Sequence, residues 1–584
     1  MTIRKARVPG SAAPRGSVGR IAVCVAVAIG VAAMLSRAEP PLAAAAGKDG
    51  RPNVIVVETD DQTVESMKVM STVQSRIADK GVTFKNSFVN FSKCCPSRAT
   101  FLTGQYAQNH HVLGNVPPLG GFAKFERLHA HNNLAVWLQD AGYRTALMGK
   151  YLNGYLRHPI VPPGWSEWDG GLGGAVYDYD INHDGKLVHY GTAASDFKQD
   201  VLTGKALRFI DGSTSGRARK PFFLWLTYSA PHTNPPDPNP QPPSDCEGAA
   251  KPAPRDADAL ASEPLPMPPS FNEADVSDKP KAIRSLPVLS GPEIQDMTRK
   301  YRCALESLLS VDKGVGRILD ALKAQGVLGN TYVIYTSDNG YLNGEHRLAE
   351  GKIKPYEESI RVPLVIRGPG IPQGKTAEDL AINADLAPTI TQLAGAKPRL
   401  EMDGESLLPA AERPRKERGR ELLIEAADFH GIRTQRYVYV EYKTGERELY
   451  DLDQDPYELQ NLADAPGYDR VRARLALRLQ KLDRCKGESC RLRPQVNLKL
   501  AYRMAHQGGR ACALNPIRAR AEGVGLGGVV TTDFYLDGQA LGSDGSPPFE
   551  RALPELHGQA SVGIRVSMLD GRRLTITRQV RACG

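Results

Sequence analysis

Two adjacent cysteines, Cys94 and Cys95, stand in the stretch 92–106, which reads SKCCPSRATFLTGQY. A bridge between sequence neighbours is strained, because disulfide geometry suits Cα atoms that lie further apart. The pair is therefore a metal site, a reactive thiol, or a cysteine that is converted to another group. Pro96 fits the first turn of a helix, where its missing N–H is no loss. Such a turn attracts anions, so we expect Arg98 and the helix start to form an anion site beside Cys94.

Polar side chains follow several short apolar runs that are typical of buried parallel strands. Because sites in open α/β sheets form at the carboxyl ends of the strands, we expect these side chains to converge on one cleft. They are Asp60 and Asp61, Lys150, His232, and Asp338 and Asn339.

The Asp60-Asp61 and Asp338-Asn339 pairs offer oxygen ligands only. Three carboxylates and an amide suit a hard cation such as Ca²⁺ or Mg²⁺ rather than zinc. Taken singly, each pair has a structural explanation, since Asp-Asp fits a helix cap or turn and Ser-Asp-Asn-Gly a tight turn. Two such pairs, each at the end of an apolar strand, together favour a metal site.

Strand-like runs alternate with helix-like segments up to about residue 396, which predicts an α/β fold with a mostly parallel sheet flanked by helices. A proline-rich excursion interrupts the pattern over residues 232–292. Residues 397–492 predict a small α+β subdomain. Residues 493–584 contain short alternating strands with Asp-Gly turns, which predict an appended immunoglobulin-like β-sandwich.

The chain has 584 residues and a formal charge of +9, and its length predicts two or three domains. No basic stripe with interleaved aromatics is present, so we expect no nucleic-acid partner. Basic residues, an apolar run over 21–35 and a small-residue stretch predict a signal peptide over residues 1–46. The alternative is an uncleaved anchor. We expect a secreted, periplasmic or cell-surface protein, without stable membrane insertion once the signal is cleaved.

The nine cysteines fit an exported chain. Cys24 lies in the signal segment, and six remain when Cys94 and Cys95 are set aside. An even number in an exported protein indicates disulfides. We predict the pairs Cys485–Cys490, Cys512–Cys583 and Cys246–Cys303.

The pattern Cys94-x-Pro-Ser-Arg followed by ATFLTG resembles the signature of the sulfatase family. Further segments extend the resemblance over residues 51 to about 465, among them TDDQT, GKYLNGY, SAPHTNPP, SDNG, GEHRLAEGK and LYDLDQDPYELQNL. They are similar to sulfatases of the N-acetylglucosamine-6-sulfatase type, including bacterial relatives called arylsulfatases. The resemblance covers neither the signal segment nor the C-terminal sandwich.

The resemblance implies an alkaline-phosphatase-like catalytic domain over residues 47–396, in which a formylglycine-generating enzyme oxidises Cys94 to formylglycine (3-oxoalanine). It implies that Arg98 holds the formylglycine, and that Ca²⁺ is bound by that residue together with Asp60, Asp61, Asp338 and Asn339. The residues implied to contact the sulfate group are Lys150, His232 and Lys352. His346, which follows the Asp338 segment, lines the substrate side or is merely exposed.

Two positions depart from the family pattern. Many sulfatases carry a histidine two residues after the lysine of the Gly-Lys motif, where this chain has Leu152. Asn153 or the pair His110-His111 then fills that space. Lys93 replaces the small or apolar residue that commonly precedes the cysteine.

The resemblance implies a sulfuric ester hydrolase acting on a glycan such as 6-sulfated N-acetylglucosamine, or on aryl sulfates. Of the two hydroxyls of the hydrated aldehyde, one attacks sulfur and the other expels the bound sulfate. His232 protonates the leaving alcohol. One rival is a phosphonate or phosphate monoester hydrolase of the same superfamily. Another is a non-catalytic surface protein that binds sulfated glycan.

Overall fold

The structure is a computed structural model that describes residues 50–583 except 156–159, 216–219, 235–244, 415–418, 492, 494 and 525. The predicted signal peptide lies outside the described residues. Within them, no helix combines the length and the apolar character that crossing a bilayer requires.

A ten-stranded sheet forms the centre of the N-terminal part. Its strands are β1 (Asn53–Thr59), β2 (Val82–Phe88), β3 (Arg144–Gly149), β4 (Glu167–Leu172), β5 (Tyr179–His183), β6 (Lys186–Tyr190), β7 (Phe222–Thr227), β8 (Thr331–Ser337), β9 (Leu364–Arg367) and β10 (Lys375–Ile382). They lie in the order β10-β2-β9-β8-β1-β7-β3-β4-β5-β6.

The middle of this sheet, from β8 to β4, is parallel. Antiparallel pairs occur on both sides, because β9 runs against its neighbours β2 and β8, and β4, β5 and β6 form a meander. The predicted α/β fold is confirmed. The sheet is mixed, with five parallel and four antiparallel pairs of neighbouring strands.

Helices cover both faces of the sheet. They are α1 (Ser71–Val73), α2 (Cys94–Thr103), α3 (Ala107–His110), α4 (Phe122–His129), α5 (Leu134–Asp140), α6 (Lys198–Thr214), α7 (Lys281–Arg284), α8 (Gly291–Ala324), α9 (Glu357–Ile360), α10 (Leu386–Ala394) and α11 (Leu408–Glu412). Val54 and Val56 of β1 pack in one core with α5 and α10, and Ile55 and Val57 pack in another with α6 and α8. Burial on both faces explains why β1 is apolar at successive positions.

Strand register sets the position of the functional side chains. Thr59, the last residue of β1, pairs with Ser337, the last residue of β8. Gly149, the last residue of β3, pairs with Thr227 of β7. The residues that follow these four strands therefore leave the sheet at one edge.

The C-terminal part contains two further sheets and one long helix, α12 (Asp469–Leu482). Four antiparallel strands form the first sheet, β11 (Leu422–Glu425), β12 (Phe429–Arg433), β13 (Tyr437–Tyr442) and β14 (Arg447–Asp451). The second comprises β15 (Gln495–Gln507), β16 (Arg510–Val524), β17 (Val529–Leu536), β18 (Gln539–Asp544), β19 (Glu550–Ala552), β20 (Gly558–Met568) and β21 (Arg573–Ala582).

The last segment is β-rich, as predicted, and it has its own apolar core. Its strands belong to one continuous sheet, in which a single residue pair, Ala513 and Ala582, joins β16 to β21. The specific immunoglobulin-like arrangement therefore stays a prediction, as do the domain boundaries.

All three predicted disulfides are present, Cys246–Cys303, Cys485–Cys490 and Cys512–Cys583. Cys94 and Cys95 are both buried and free of disulfides. The adjacent pair therefore stands apart from the cross-linking cysteines, as the sequence indicates.

Candidate active site

Helix α2 begins at Cys94 and is buried along its whole length. Lys93 precedes it in an extended conformation, without a side-chain cap for the first turn. The helix ends at Gly104, whose φ of 68° is the left-handed conformation that glycine adopts readily. A Cβ on Gly104 would lie 2.8 Å from Met402, so this position also needs glycine for close packing.

The two adjacent cysteines face different surroundings. The Cys94 sulfur lies 3.5 Å from a carboxylate oxygen of Asp60. Cys95 instead packs into the apolar core between the sheet and its helices. Burial raises the pKa of Cys94 to about 11, against the opposing charges of Lys150 and Lys352, and it raises the pKa of Cys95 to about 12. Only Cys94 is placed for chemistry beside the carboxylates.

The carboxylates of Asp60, Asp61 and Asp338 converge at the sheet edge. Their ligand atoms lie within 4.8 Å of one another, and all three residues are buried. The Asp61 backbone N–H donates to Asp338 Oδ1 at 3.2 Å, and Asn339 Nδ2 donates to Asp61 Oδ1 at 2.6 Å. These contacts join Asp61 to Asp338 and Asn339, which lie 277 and 278 positions further along the chain.

Arg98 of helix α2 contacts residues at the ends of three strands. Its Nε donates to Asp338 Oδ2 at 2.8 Å, its Nη1 donates to the Lys150 carbonyl at 2.8 Å, and its Nη2 lies 3.3 Å from Glu58. The guanidinium is fully buried. Although burial opposes its charge, the carboxylates of Glu58 and Asp338 hold the pKa of Arg98 above its ordinary value.

Two lysines reach the same carboxylates from different elements. Lys150, which follows β3, contacts Asp60, and Lys352 contacts Asp61. The Lys352 ammonium also lies 3.0 Å from the Cys94 sulfur and 3.5 Å from the Asn339 side-chain oxygen. Burial by itself would raise the pKa of Asp60, but the nearby positive charges, Lys150 first among them, bring it below its ordinary value.

His232 lies at the rim of this group. Its Nε2 is 3.8 Å from Asp61 Oδ2, and its Nδ1 is 2.7 Å from the Thr233 carbonyl oxygen. The side chain is 37% exposed, so the imidazole can meet a ligand that enters from solvent.

Comparison with known proteins decides the family. The protein-family model described as Sulfatase matches residues 52–396, which is more than half of the chain. The chain belongs to the sulfatase family. A second model, described as N-sulphoglucosamine sulphohydrolase, C-terminal, matches residues 344–485. The two matches together include every predicted site residue and confirm the family prediction.

Relatives with functional names match the same region. The chain is 37% identical over 364 residues to a putative extracellular sulfatase Sulf-1 homolog of Caenorhabditis elegans, covering 62% of this chain and 49% of that protein. It therefore spans about half the length of that relative. It is 30% identical to N-acetylglucosamine-6-sulfatase of Capra hircus, covering 76% of this chain and 85% of the goat protein.

A solved structure shares the fold. It is described as a complex with its substrate D-glucosamine-2-N,6-O-disulfate, and it aligns with a TM-score of 0.62 and 25% identity. The alignment covers 74% of this chain and 98% of the other.

The donor set of this sulfatase-family chain fits a hard cation. Asp60, Asp61 and Asp338 supply buried carboxylate oxygens within reach of one ion, and Asn339 supplies an amide oxygen. Oxygen-only sets of this kind suit Ca²⁺. The Lys352 ammonium already contacts Asp61 and the Asn339 oxygen, so this point of the structure attracts positive charge.

The residue that takes the place of the missing histidine stays a prediction. Leu152, which stands there, is buried in the core. His110 is buried and bonded to Thr100 Oγ1 and the Val112 N–H, so it does not point toward the carboxylates. Asn153 lines a cavity with Asp60 and Lys150, which favours Asn153 over the His110-His111 pair.

The structure does not bring His346 to the carboxylate group. Its side chain is fully buried, its Nδ1 lies 2.7 Å from Glu273 Oε2, and its ring packs against Tyr356 at a tilt. Full burial keeps this imidazole from contact with a substrate in this conformation.

Sequence reasoning missed Glu58 and the polar lining of a cavity. Glu58 accepts from Trp225 Nε1 at 2.8 Å and lies beside Arg98, and burial raises its pKa to about 7. The cavity, of about 460 Å³, adjoins Asp60 and includes Ser229 and Asn234. A charged residue that follows the apolar run of β1 is a signal that points to Glu58. Ser229 and Asn234 lie in the family segment SAPHTNPP, of which only His232 was assigned a role.

Proposed function

We propose that this chain is an exported, calcium-dependent sulfatase that hydrolyses sulfate esters with a formylglycine made from Cys94. The observation that supports it best is the position of Cys94, at the start of a buried helix, 3.5 Å from Asp60 and 3.0 Å from the Lys352 ammonium. Oxygen ligands for a metal ion, cationic side chains and the cysteine that is converted to formylglycine thus lie next to one another.

Asp60, Asp61, Asp338 and Asn339 are the residues that would hold Ca²⁺. When bound, the ion supplies positive charge that acidifies a hydroxyl at residue 94 and balances sulfate oxygens. Conversion of Cys94 by a formylglycine-generating enzyme supplies that hydroxyl, since a hydrated aldehyde carries two. Arg98 orients the site, because its Nε and Nη1 donate hydrogen bonds that connect helix α2 to Asp338 and to the end of β3.

Lys150 and Lys352 provide positive charge that can bind the anionic sulfate group. Lys150 contacts Asp60, and Lys352 contacts Asp61. Ammonium groups fixed in this way stabilise negative charge that builds on the sulfate oxygens during reaction. Their contacts with the carboxylates keep both groups in place before a substrate arrives.

His232 is suited to protonate the leaving alcohol. The Thr233 carbonyl accepts a hydrogen bond from Nδ1, which fixes a proton on that nitrogen. The second proton of the imidazolium is then held on Nε2, the nitrogen that faces Asp61 at 3.8 Å. Proton loss from Nε2 leaves the tautomer that the Thr233 carbonyl already stabilises.

A glycan leaving group is supported by the cavity beside Lys150. Three of its buried polar atoms, Asn153 Oδ1, Ser229 Oγ and Asn234 Nδ2, have no hydrogen-bond partner among the described residues. Buried polar groups normally are hydrogen-bonded, and sugar hydroxyl or acetamido groups offer the missing partners. The relatives named N-acetylglucosamine-6-sulfatase support a 6-sulfated amino sugar as the natural substrate.

Hydrolysis of an aryl sulfate tests the proposal. Wild-type protein, produced together with a formylglycine-generating enzyme and Ca²⁺, should release the phenol, and Cys94→Ala should not. Cys95→Ala is the matched control and should keep turnover if it folds, because Cys95 faces the core. Equal turnover by wild type and Cys94→Ala would end the proposal. Faster hydrolysis of the matched aryl phosphate would instead assign the chain to phosphate-ester hydrolysis.

A further inference from the structure

A second cluster of potential metal ligands shares no side chain with the candidate active site. It consists of His346, Glu358 and Glu458, whose ligand atoms lie within 4.8 Å of one another. His346 is 0% exposed and Glu458 is 1% exposed. The cluster therefore places two acidic groups and an imidazole together in the protein interior.

Each residue of the cluster has a buried atom without a partner. These atoms are His346 Nε2, Glu358 Oε2 and Glu458 Oε1, none of which is hydrogen-bonded within the described part of the chain. Leaving a buried polar atom unpaired is costly, and more so for a charged one. Three such atoms within reach of one another point to a bound group that all of them contact.

The neighbours of the cluster orient its ligand atoms. His346 Nδ1 lies 2.7 Å from Glu273 Oε2, and the ring packs against Tyr356 at a tilt, with centroids 4.0 Å apart. Glu273 therefore accepts the Nδ1 proton, which leaves a lone pair on Nε2. The other oxygen of Glu458 accepts from the Glu357 N–H at 3.0 Å. A carboxylate behind a histidine is the arrangement that orients metal-binding imidazoles.

We propose that His346, Glu358 and Glu458 bind a divalent transition-metal ion such as Zn²⁺ or Mn²⁺. An imidazole nitrogen with two carboxylates suits these ions, whereas the oxygen-only set at Asp60 suits Ca²⁺. Glu358 also lines a cleft of about 530 Å³, which gives an ion a route from solvent. The two metal sites thus differ in chemistry and in access.

The ion would connect two parts of the chain. His346 and Glu358 flank Lys352 in sequence, and Glu458 follows strand β14 of the C-terminal four-stranded sheet. Coordination by all three side chains fixes the segment that carries Lys352 against that sheet. The role of this ion is therefore structural, and it positions a lysine of the proposed active site without contact with the substrate.

Zinc uptake by the Ca²⁺-saturated full chain tests the proposal. After treatment with a chelator and return of Ca²⁺, we expect one equivalent of Zn²⁺ by calorimetry and by elemental analysis, with an increase in the unfolding temperature. Glu458→Gln and Glu358→Gln should each weaken uptake more than a hundredfold, since loss of an outer neighbour alone costs about 10–100-fold. Glu488→Gln, which changes an exposed glutamate of the same region, should bind as the wild type does.

Absence of Zn²⁺ and Mn²⁺ uptake by the wild type would overturn the proposal, and so would uptake that both variants retain. If the variants do not fold, wild-type crystals soaked in Zn²⁺ decide the question. An anomalous peak about 2.0–2.1 Å from His346 Nε2 supports the site, and its absence refutes it. These readouts do not involve sulfate turnover, so they stand or fall separately from the proposed activity.

Discussion

The Lys352 ammonium lies 3.0 Å from the Cys94 sulfur, although 258 positions separate the two residues in the chain. The same ammonium contacts Asp61. A cation is therefore fixed beside the residue that we propose to become the nucleophile, and a second one, Lys150, contacts Asp60.

Removal of the Lys352 charge should slow catalysis more than it destabilises the fold. We expect Lys352→Ala to lower kcat for an aryl sulfate about 10²–10³-fold, the usual cost of losing one group that stabilises transition-state charge. Steady-state kinetics measures the loss in kcat, and thermal unfolding measures the loss in stability. Lys354→Ala is the control and should keep most of the activity; a Lys352→Ala enzyme within threefold of wild type would be inconsistent with the role of this lysine.

Loss of Arg98 should destabilise the protein, because it removes the buried counter-charge that contacts both Glu58 and Asp338. Breaking a buried pair in this way costs about 3–5 kcal/mol, so we expect Arg98→Met to lower the free energy of unfolding by that amount in denaturant titrations. Arg399→Met is the control, because Arg399 pairs with Asp140, which is half exposed. It should lower the free energy of unfolding by less than about 1 kcal/mol. Equal losses in the free energy of unfolding for the two variants would contradict the assignment of Arg98 to a buried ion pair.

Lys198 should make stability depend on pH. Burial, aided by the charge of Lys150, lowers the pKa of Lys198 to about 7, and its ammonium lies 4.4 Å from the Tyr179 ring centroid. Between pH 7 and the ordinary pKa of 10.5, the unfolded chain binds more protons than the native state, so this lysine makes the free energy of unfolding rise with pH.

Lys198→Met should therefore stabilise the protein at pH 7, and its advantage over wild type should shrink toward pH 10. Denaturant titrations across this range measure the difference. Lys443→Met, at an exposed position, should show no such trend. If Lys198→Met were more stable than wild type by the same free energy of unfolding at every pH, the lysine would not be neutral in the native protein.

The cavity beside Lys150 should select for a sugar. Asn153→Ala and Asn234→Ala each remove a polar atom that has no partner among the described residues. A site that hydrogen-bonds a substrate loses about 1–3 kcal/mol per unpaired group, so we expect kcat/KM for 6-sulfated N-acetylglucosamine to fall about tenfold or more. Turnover of an aryl sulfate should change little in Asn234→Ala, and Asn497→Ala, an exposed control, should affect neither substrate. Equal losses on both substrates would argue against sugar recognition here.

The sequence predicts the site residues better than their surroundings. Apolar runs ending in Asp60 and Asp338 mark strand ends, and parallel pairing of β1 with β8 brings them together. The antiparallel insertion of β9 between β2 and β8 was not predictable, because a buried strand has the same apolar pattern in either direction. His346 follows an identifiable motif, yet only packing against Glu273 and Tyr356 decides that it faces the interior.

The chemical state of residue 94 tests the central claim most directly. Trypsin should release the peptide of residues 94–98, since Lys93 precedes it and Arg98 ends it. In protein that turns over an aryl sulfate, mass spectrometry should find an aldehyde at position 94 and an intact thiol at Cys95. Fully active protein whose peptide carries a thiol at both positions would contradict the account.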